Sequence, residues 1–321
     1  MMIELLQEKH IDEAVSLWNA ELAGSYPLRS RLLRQNVLAD PHVVPEGTLA
    51  AIDSRTGELV GFVVAKASRR EDESYGLARG NGWIHALFVA PERRGQGIGT
   101  ALLYQAALVL RHKGVDRVAL GNDLHRRLFP GIPDELAETQ RWFERRGFRY
   151  RETAFDMIKT YGQEELVPMP ALGEAACRVA EPQDQAELEA FMSRCFPGAW
   201  DLQHRDYWRQ GGTGREYVLL EHGGKLIGFC RINDSASPLL AQNVYWSPLF
   251  EEELGGIGPL GIDEAYRGRR YGLSIVQAAI HTLQARGIRR IVIDTTPFVD
   301  FYGKLGYEVW KTYAKYDKTL A

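Results

Sequence analysis

Arg94-Gly95-Gln96-Gly97-Ile98-Gly99 sets three glycines at the start of an apolar-striped segment, a spacing that can hold an anionic group. Glycines let a backbone approach a ligand closely, and the unpaired N–H groups of a helix start favour phosphate. The motif returns 173 residues later as Arg267-Gly268-Arg269-Arg270-Tyr271-Gly272. Its surroundings return in register: Leu87 matches Leu260, Ala106 matches Ala279, Leu110 matches Leu283 and Gly114 matches Gly287. One such hexapeptide could be a strand-to-helix turn without a ligand, but two in matching context mark a duplicated fold with an anion loop in each copy. A dinucleotide site fits less well, because the G-x-G-x-x-G spacing is absent and a hairpin precedes the motif.

The elements that must position these loops follow from apolar periodicity. In the first copy, Ile3–Leu6 reads as a strand, Ile11–Leu22 as a helix, and Thr48–Ile52 with Leu59–Ala67 as a hairpin. Trp83–Val89 is the strand before the loop, Gly97–His112 the helix after it, and Val115–Leu120 the next strand. A helix over about 133–146 and the strand Phe155–Thr160 close the copy. The second copy repeats the order with Ala186–Phe196, Tyr217–Glu221, Leu226–Ile232, Ile257–Ile262, Leu273–Arg286, Ile291–Asp294, Val299–Leu305 and Tyr313–Asp317. The expected domains are therefore 1–161 and 175–321, with the Pro-containing, aperiodic stretch 162–174 as linker. From loop arginine to the later glycine the first copy spans 53 residues (Arg94 to Gly147) and the second 39 (Arg267 to Gly306). The excess lies in Asn122–Pro133, whose stiff, apolar Leu128-Phe129-Pro130-Gly131-Ile132-Pro133 string is expected to be a substrate element.

Composition narrows the class. The chain has 321 residues, 45% apolar and 25% charged, with a net charge of −3. That describes a globular protein without the basic footprint of nucleic-acid binding. No apolar run reaches the length of a membrane helix, and Met1–Leu6 lacks a signal-peptide pattern, so a cytoplasmic location without membrane contact is expected. Cys177, Cys195 and Cys230 are an odd set without metal or redox spacing, so free thiols and no metal are expected.

Three segments resemble the GNAT superfamily of acyl-CoA-dependent N-acetyltransferases: the Arg94–Gly99 loop, the Leu87-Phe88-Val89-Ala90-Pro91 run before it, and Phe301-Tyr302-Gly303-Lys304-Leu305-Gly306-Tyr307, similar to the family's F-Y-x-K-x-G-F signature. The resemblance implies two tandem mixed α/β domains, each a splayed, mostly antiparallel sheet flanked by helices. It implies acetyl-CoA as cosubstrate, with pantetheine between parted strands along Leu87, Phe88 and Val89. The pyrophosphate would lie on the loop, at Arg94, Gly95, Gln96, Gly97, Ile98, Gly99 and Thr100.

Acetyl transfer to an amine requires a group that removes a proton, because an amine at neutral pH is mostly ammonium. Ile84-His85-Ala86-Leu87-Phe88-Val89 is similar to the strand of arylalkylamine acetyltransferases whose histidine lies on the proton path. His85 titrates in a suitable range, although a histidine bonded to backbone would look the same in sequence. The second copy has Gly258 at that place. Conversely, the family's tyrosine, which can protonate the departing thiolate, is Tyr302 in the second copy and Phe143 in the first. Arg270 replaces Gly97 in the second loop. The first copy is thus the expected acetyl-CoA site. A non-catalytic acyl-CoA-binding or protein-interaction module remains the alternative. For the acceptor, a small primary amine is expected. The loop Phe196-Pro197-Gly198-Ala199-Trp200-Asp201, continuing to His204, Asp206, Tyr207 and Trp208, offers aromatic faces beside carboxylates or else packs a seam between domains. The Phe129–Pro133 string is similar to tandem bacterial acetyltransferases linked to amino sugars.

Overall fold

All nine residues of Leu59–Ala67 are buried, Lys66 included, and the first copy is laid out around this strand. In the computed structural model, which describes residues 1–320, the chain runs through β1 (Met2–Leu5), α1 (Ile11–Leu22), α2 (Ser30–Leu33), β2 (Leu49–Ile52), β3 (Leu59–Ala67), β4 (Asn81–Val89), α3 (Ile98–His112), β5 (Arg117–Leu120), β6 (Ile132–Pro133), α4 (Ala137–Glu144) and β7 (Arg149–Thr160). It continues through β8 (Ala175–Val179), α5 (Gln185–Cys195), α6 (Ala199–Arg209), β9 (Tyr217–His222), β10 (Lys225–Asn233), β11 (Leu254–Ile262), α7 (Tyr271–Ala285), β12 (Arg290–Thr296), α8 (Val299–Gly303) and β13 (Glu308–Thr319). The class is the expected mixed α/β. In each copy the pairings are antiparallel except one, β4 with β5 and β11 with β12.

The stripe read on the helix after the first loop is the buried face of α3. Ile98, Leu102, Leu103, Ala106 and Leu110 pack on Val63, Ala65, Ile84 and Val118. Each leucine so buried stabilises by about 1.5–3 kcal/mol. α7 does the same in the second copy with Ile275, Val276, Ala279 and Leu283. Two expectations shift. The helix expected from Pro133 begins at Ala137, because Ile132 and Pro133 form β6 and pair with Ala314 and Tyr313. The tract after α5, expected as a loop, is the helix α6; its Leu202 and Tyr207 are buried, and Phe196, Trp208, Tyr207 and Tyr217 belong to one cluster with Phe229. These aromatics pack the core of the second unit.

The compact units also differ from the sequence copies. One unit is Met1–Ala154 with the returning segment from Lys311 onward, and the other is Phe155–Trp310. The reason is strand pairing. An uncovered sheet edge is a row of unpaired N–H and C=O groups. β5 meets that need with the end of β13, in the register Asp317↔Ala119 and Lys318↔Val118. β12 meets it with the end of β7, in the register Ile293↔Met157 and Ile291↔Lys159. Asp317, 4% exposed, is fixed by Arg151 at 2.7 Å and by Arg117. Each copy is therefore closed by a strand from outside its own sequence span. A fragment of residues 1–161 should accordingly fail to fold: it should show no cooperative thermal transition by circular dichroism, whereas autonomous copies would give a sharp one.

Candidate active site

The first unit holds a cavity of about 900 Å³ between the end of β4 and the segment around α4. It opens where two parallel strands part. β4 pairs with β5 from Asn81↔Arg117 to Ile84↔Leu120 and no further. At the same point the ladder to β3 steps from Val64↔Ala86 to Ala65↔Ile84, leaving His85 as the extra residue of a β-bulge. Past the bulge, Ala90 donates to the Val60 carbonyl at 3.0 Å. Positions 88 and 90 thus turn their backbone polar groups toward β3, and Leu87 and Val89 turn theirs toward the gap.

The glycine loop closes one end of the cavity. Gly95 and Gly97 have φ of 75° and 83°, and Gly97 caps α3. The first helical bond runs from the Ala101 N–H to the Gly97 carbonyl, so the N–H groups of Ile98, Gly99 and Thr100 precede the ladder and are available to an anion. Arg94 lines the cavity and also braces the loop. Its Nε donates to the Val89 carbonyl at 3.0 Å and its head pairs with Glu21 of α1. Gln96 is absent from the lining and donates to the Glu92 carbonyl at 3.4 Å. Leu87, Phe88, Val89, Gly95, Gly97, Ile98, Gly99 and Thr100 all line the cavity. A basic rim joins them that the motif did not disclose: Arg141, Arg145 and Arg146 around α4. Arg146 stacks on Trp142 at 3.5 Å and donates to Thr100 Oγ1 at 2.7 Å.

His85 lines the same cavity and is 2% exposed. Its Nδ1 lies 3.1 Å from Asp123 Oδ2, while its Nε2 has no hydrogen-bond partner among the described residues. A carboxylate only accepts, so the proton sits on Nδ1 and the lone pair on Nε2. Burial, reinforced by the Lys66 charge and opposed by Asp123, lowers the pKa of His85 below its ordinary value and keeps the ring neutral. Asp123 is buried as well, but Lys66 and then His85 overcome that penalty and hold its carboxyl at about 2. Lys66 Nζ donates to Asp123 at 2.6 Å and to Asp40 at 2.8 Å. Asp40 in turn meets His42 at 3.2 Å and His125 at 3.1 Å, and the far nitrogen of His42 meets Asp72 at 3.1 Å. Asp40, His42 and His125 bring donor atoms within 4.8 Å of one another, as a metal set would. Asp40, however, already holds the Lys66 ammonium, and His42 lies between two carboxylates. The group is a buried ion network of Lys66, His42 and three carboxylates. None of Lys66, Asp40 and Asp123 carries a motif in sequence. The insertion after β5 brings Asp123 to His85 of β4 and His125 to Lys66 of β3, and its Phe129 stacks on Trp18 at 5.8 Å in the cavity wall.

Tyr302 belongs to the second unit and His85 to the first. It is 7% exposed beside Phe301 and Tyr307, and burial raises its hydroxyl pKa above the ordinary value. Its first-unit counterpart Phe143 packs edge-on to Phe148 and Trp142. The second loop keeps its shape despite its sequence. Arg270 holds φ of 65° where Gly97 has 83°, and Arg267 Nε donates to the Ile262 carbonyl at 3.2 Å as Arg94 does to Val89.

The acetyltransferase (GNAT) family matches residues 11–129 and again residues 186–307. A mycothiol acetyltransferase of Corynebacterium glutamicum is 27% identical over 77% of this chain and 79% of its own length. One of Gordonia bronchialis is 26% identical over 87% of both chains. Among solved structures, a GCN5-related glucosamine N-acetyltransferase region of a fungal multi-domain β-N-acetylglucosaminidase superposes on 99% of this chain at 25% identity, with a TM-score of 0.86. This chain spans 38% of that longer protein. A GCN5-related N-acetyltransferase from Sphaerobacter thermophilus shares the fold at 17% identity, with a TM-score of 0.71 over 99% of this chain.

The ion network gives a pH signature. Burial would lower the His42 pKa, but Asp40 and Asp72 raise it from 6.5 to about 9. A raised folded-state value means that the imidazolium stabilises fully below the unfolded pKa and that this contribution fades as pH climbs through the folded one. Melting temperature should therefore fall between about pH 6.5 and pH 9. Melts of His42→Gln across that window should show a shallower fall; an identical slope would remove His42 as its cause.

Proposed function

The chain belongs to the acetyltransferase (GNAT) family at both of its copies and is an acetyl-CoA-dependent N-acetyltransferase; from that premise we propose that the first unit acetylates the primary amine of a small, amino-sugar-like acceptor, with His85 as proton acceptor. The observation that carries this reading is the state of His85. Its ring is held neutral by burial, its Nδ1 is tied to Asp123, its Nε2 has no hydrogen-bond partner among the described residues, and the residue lines the cavity. In the reaction the amine nitrogen attacks the thioester carbonyl carbon. Its surplus proton passes to Nε2 directly or through one water, the C–S bond breaks, and the sulfur leaves as thiolate. The backbone N–H groups of β4 that face the gap are suited to hold the thioester oxygen as charge develops. The loop amides and the arginine rim suit the phosphates of the donor.

The acceptor reading rests on the opposite wall. Trp18 and Phe129 stack with 23° between their planes, and Glu135, exposed at the mouth, accepts a hydrogen bond from Tyr26 at 2.6 Å. Aromatic faces beside a carboxylate suit a cationic, hydroxyl-bearing amine. The glucosamine named for the fungal relative supports the same class. Thiol release from acetyl-CoA with glucosamine, an arylalkylamine and lysine as acceptors tests it. Turnover with glucosamine is expected; no turnover with any amine would favour a binding module instead.

The loop is tested by Gly97→Glu. A Cβ there meets no protein atom within 4 Å, so the fold should persist. The positive φ, costly for any other residue by roughly 1–2 kcal/mol, and the added carboxylate should together abolish CoA affinity in calorimetry. Unchanged affinity would place the phosphates elsewhere.

The choice of unit is tested by a pair of variants. His85→Gln should lower kcat by roughly ten- to a thousandfold and remove an acidic limb of the rate profile that lies below 6.5, where a lowered histidine pKa puts it. Tyr302→Phe should leave turnover and melting temperature unchanged. The reverse outcome, with the rate lost in Tyr302→Phe and kept in His85→Gln, would move the reaction to the second unit.

A further inference from the structure

Lys66 is 0% exposed on the middle strand of the first unit, and neither the fold nor the chemistry above requires a cation there. Its Nζ is over-supplied with acceptors: Asp123 at 2.6 Å, Asp40 at 2.8 Å, and the carbonyls of His125 and Arg126 at 3.0 and 3.2 Å. Apolar residues of the same volume would generally serve stability as well as a buried ion cluster does. The cluster therefore calls for a role other than packing. Its one outlet toward the cavity among the described residues is the hydrogen bond that His85 Nδ1 donates to Asp123.

We infer that Asp123 and Lys66 are positioning residues for the acetyl transfer: Asp123 fixes the tautomer and plane of His85, and the Lys66 ammonium pins the Asp123 carboxylate in the place from which it can do so. The inference rests on His85 being the proton acceptor. The second unit supplies an internal comparison. Val63 pairs with Leu87 as Cys230 pairs with Leu260, which makes Asn233 the counterpart of Lys66. Ile84 pairs with Leu120 as Ile257 pairs with Ile293, which makes Thr296 the counterpart of Asp123. Gly258 stands where His85 does. Histidine, aspartate and lysine are all replaced together on a backbone that otherwise repeats, down to the left-handed Asn122 and Thr295 at φ of 53° and 49°. Three residues lost as a set behave as one device.

The charges that bear on His85 have opposite signs. Lys66 from β3 disfavours the imidazolium, whereas Asp123 after β5 and Asp40 before β2 favour it. Behind them lie His42, His125 and Asp72. The other charged groups lining the cavity are Glu21 from α1, Arg93 and Arg94 from the glycine loop, and Glu135, Glu138, Arg141, Arg145 and Arg146 around α4; none of them is hydrogen-bonded to the ring.

The test reads the His85 titration in the full chain in two ways: by the NMR shift of its Cε1–H with pH, and by the acidic limb of kcat/KM for acetyl-CoA with glucosamine. Removing Asp123 and removing Lys66 should move the titration in opposite directions. In Asp123→Asn it should fall, with kcat reduced at least tenfold because the tautomer is no longer fixed. In Lys66→Met it should rise by about one pH unit, the usual scale for a charge at this range, and Lys66→Arg should restore the wild-type position. Where Lys66→Met leaves too little folded protein, the double variant Lys66→Met/Asp40→Asn removes one charge of each sign. It should still raise the titration, since Lys66 outweighs Asp40 at His85. Shifts of the same sign in the two series, or none in the NMR titration, would overturn the inference. Opposite NMR shifts with an unmoved kinetic limb would instead overturn His85 as the proton acceptor.

Discussion

The parting of β4 from β5 after Ile84 is the constraint on which the rest of the first unit depends. Up to that residue the strands share a ladder; beyond it they no longer pair with each other, and the Val89 carbonyl is met by Arg94 Nε instead. A sheet does not ordinarily give up such pairing. Here the bulge at His85 lets the strand keep its bonds to β3 while turning its other edge to a cavity. The same residue that breaks the ladder carries the imidazole, so one backbone irregularity opens the donor slot and sets the proton acceptor beside it. The glycine loop follows within ten residues, and its reach is fixed by Arg94, whose Nε ties the end of β4 to the loop.

What the strand opens, the insertion between β5 and α4 furnishes. Asn122 in a left-handed conformation turns the chain back over the sheet, and Asp123 arrives at His85 while Phe129 arrives at Trp18. The insertion is then held by β6, whose Ile132 pairs with Ala314 of the returning strand. Gly131 fits only because it lacks a Cβ, which would lie 2.6 Å from the Ala314 carbonyl. The acceptor wall of the first unit thus depends on the last segment of the chain, a dependence that follows from pairing rather than from sequence proximity.

The elements were legible in sequence where one period dominates. α1 runs over Ile11–Leu22 as its apolar spacing indicates, and β3 over Leu59–Ala67 as its composition does. The phosphate loop was legible because glycine spacing is itself the chemistry, and His85 because a family resemblance pointed to it. Asp123, Lys66 and Asp40 were not, since they lie far apart along the chain and share no spacing. Only the burial of a lysine in a strand of apolar neighbours could have drawn the eye, and Val64-Ala65-Lys66-Ala67 does carry that signal. The strand exchange was hidden for a different reason. The copies align in order along the chain, and nothing in their periodicity states which copy's β5 or β12 a closing strand will pair with.

The two copies also show which part of this chemistry is backbone and which is side chain. Arg270 adopts the left-handed conformation of Gly97, at a cost of roughly 1–2 kcal/mol, and the loop around it superficially survives. Gly268 keeps its positive φ, Arg267 keeps its bond to the strand end, and the bulge recurs between Cys230 and Ile232 of β10. What differs is what the scaffold presents: a glycine for His85, a threonine for Asp123, an asparagine for Lys66. A buried Lys–Asp pair cannot be dismantled one member at a time without leaving an uncompensated charge in the core, which is far more costly than losing both. Divergence between the copies was therefore constrained to change these positions as a group, whichever copy resembles the ancestral unit.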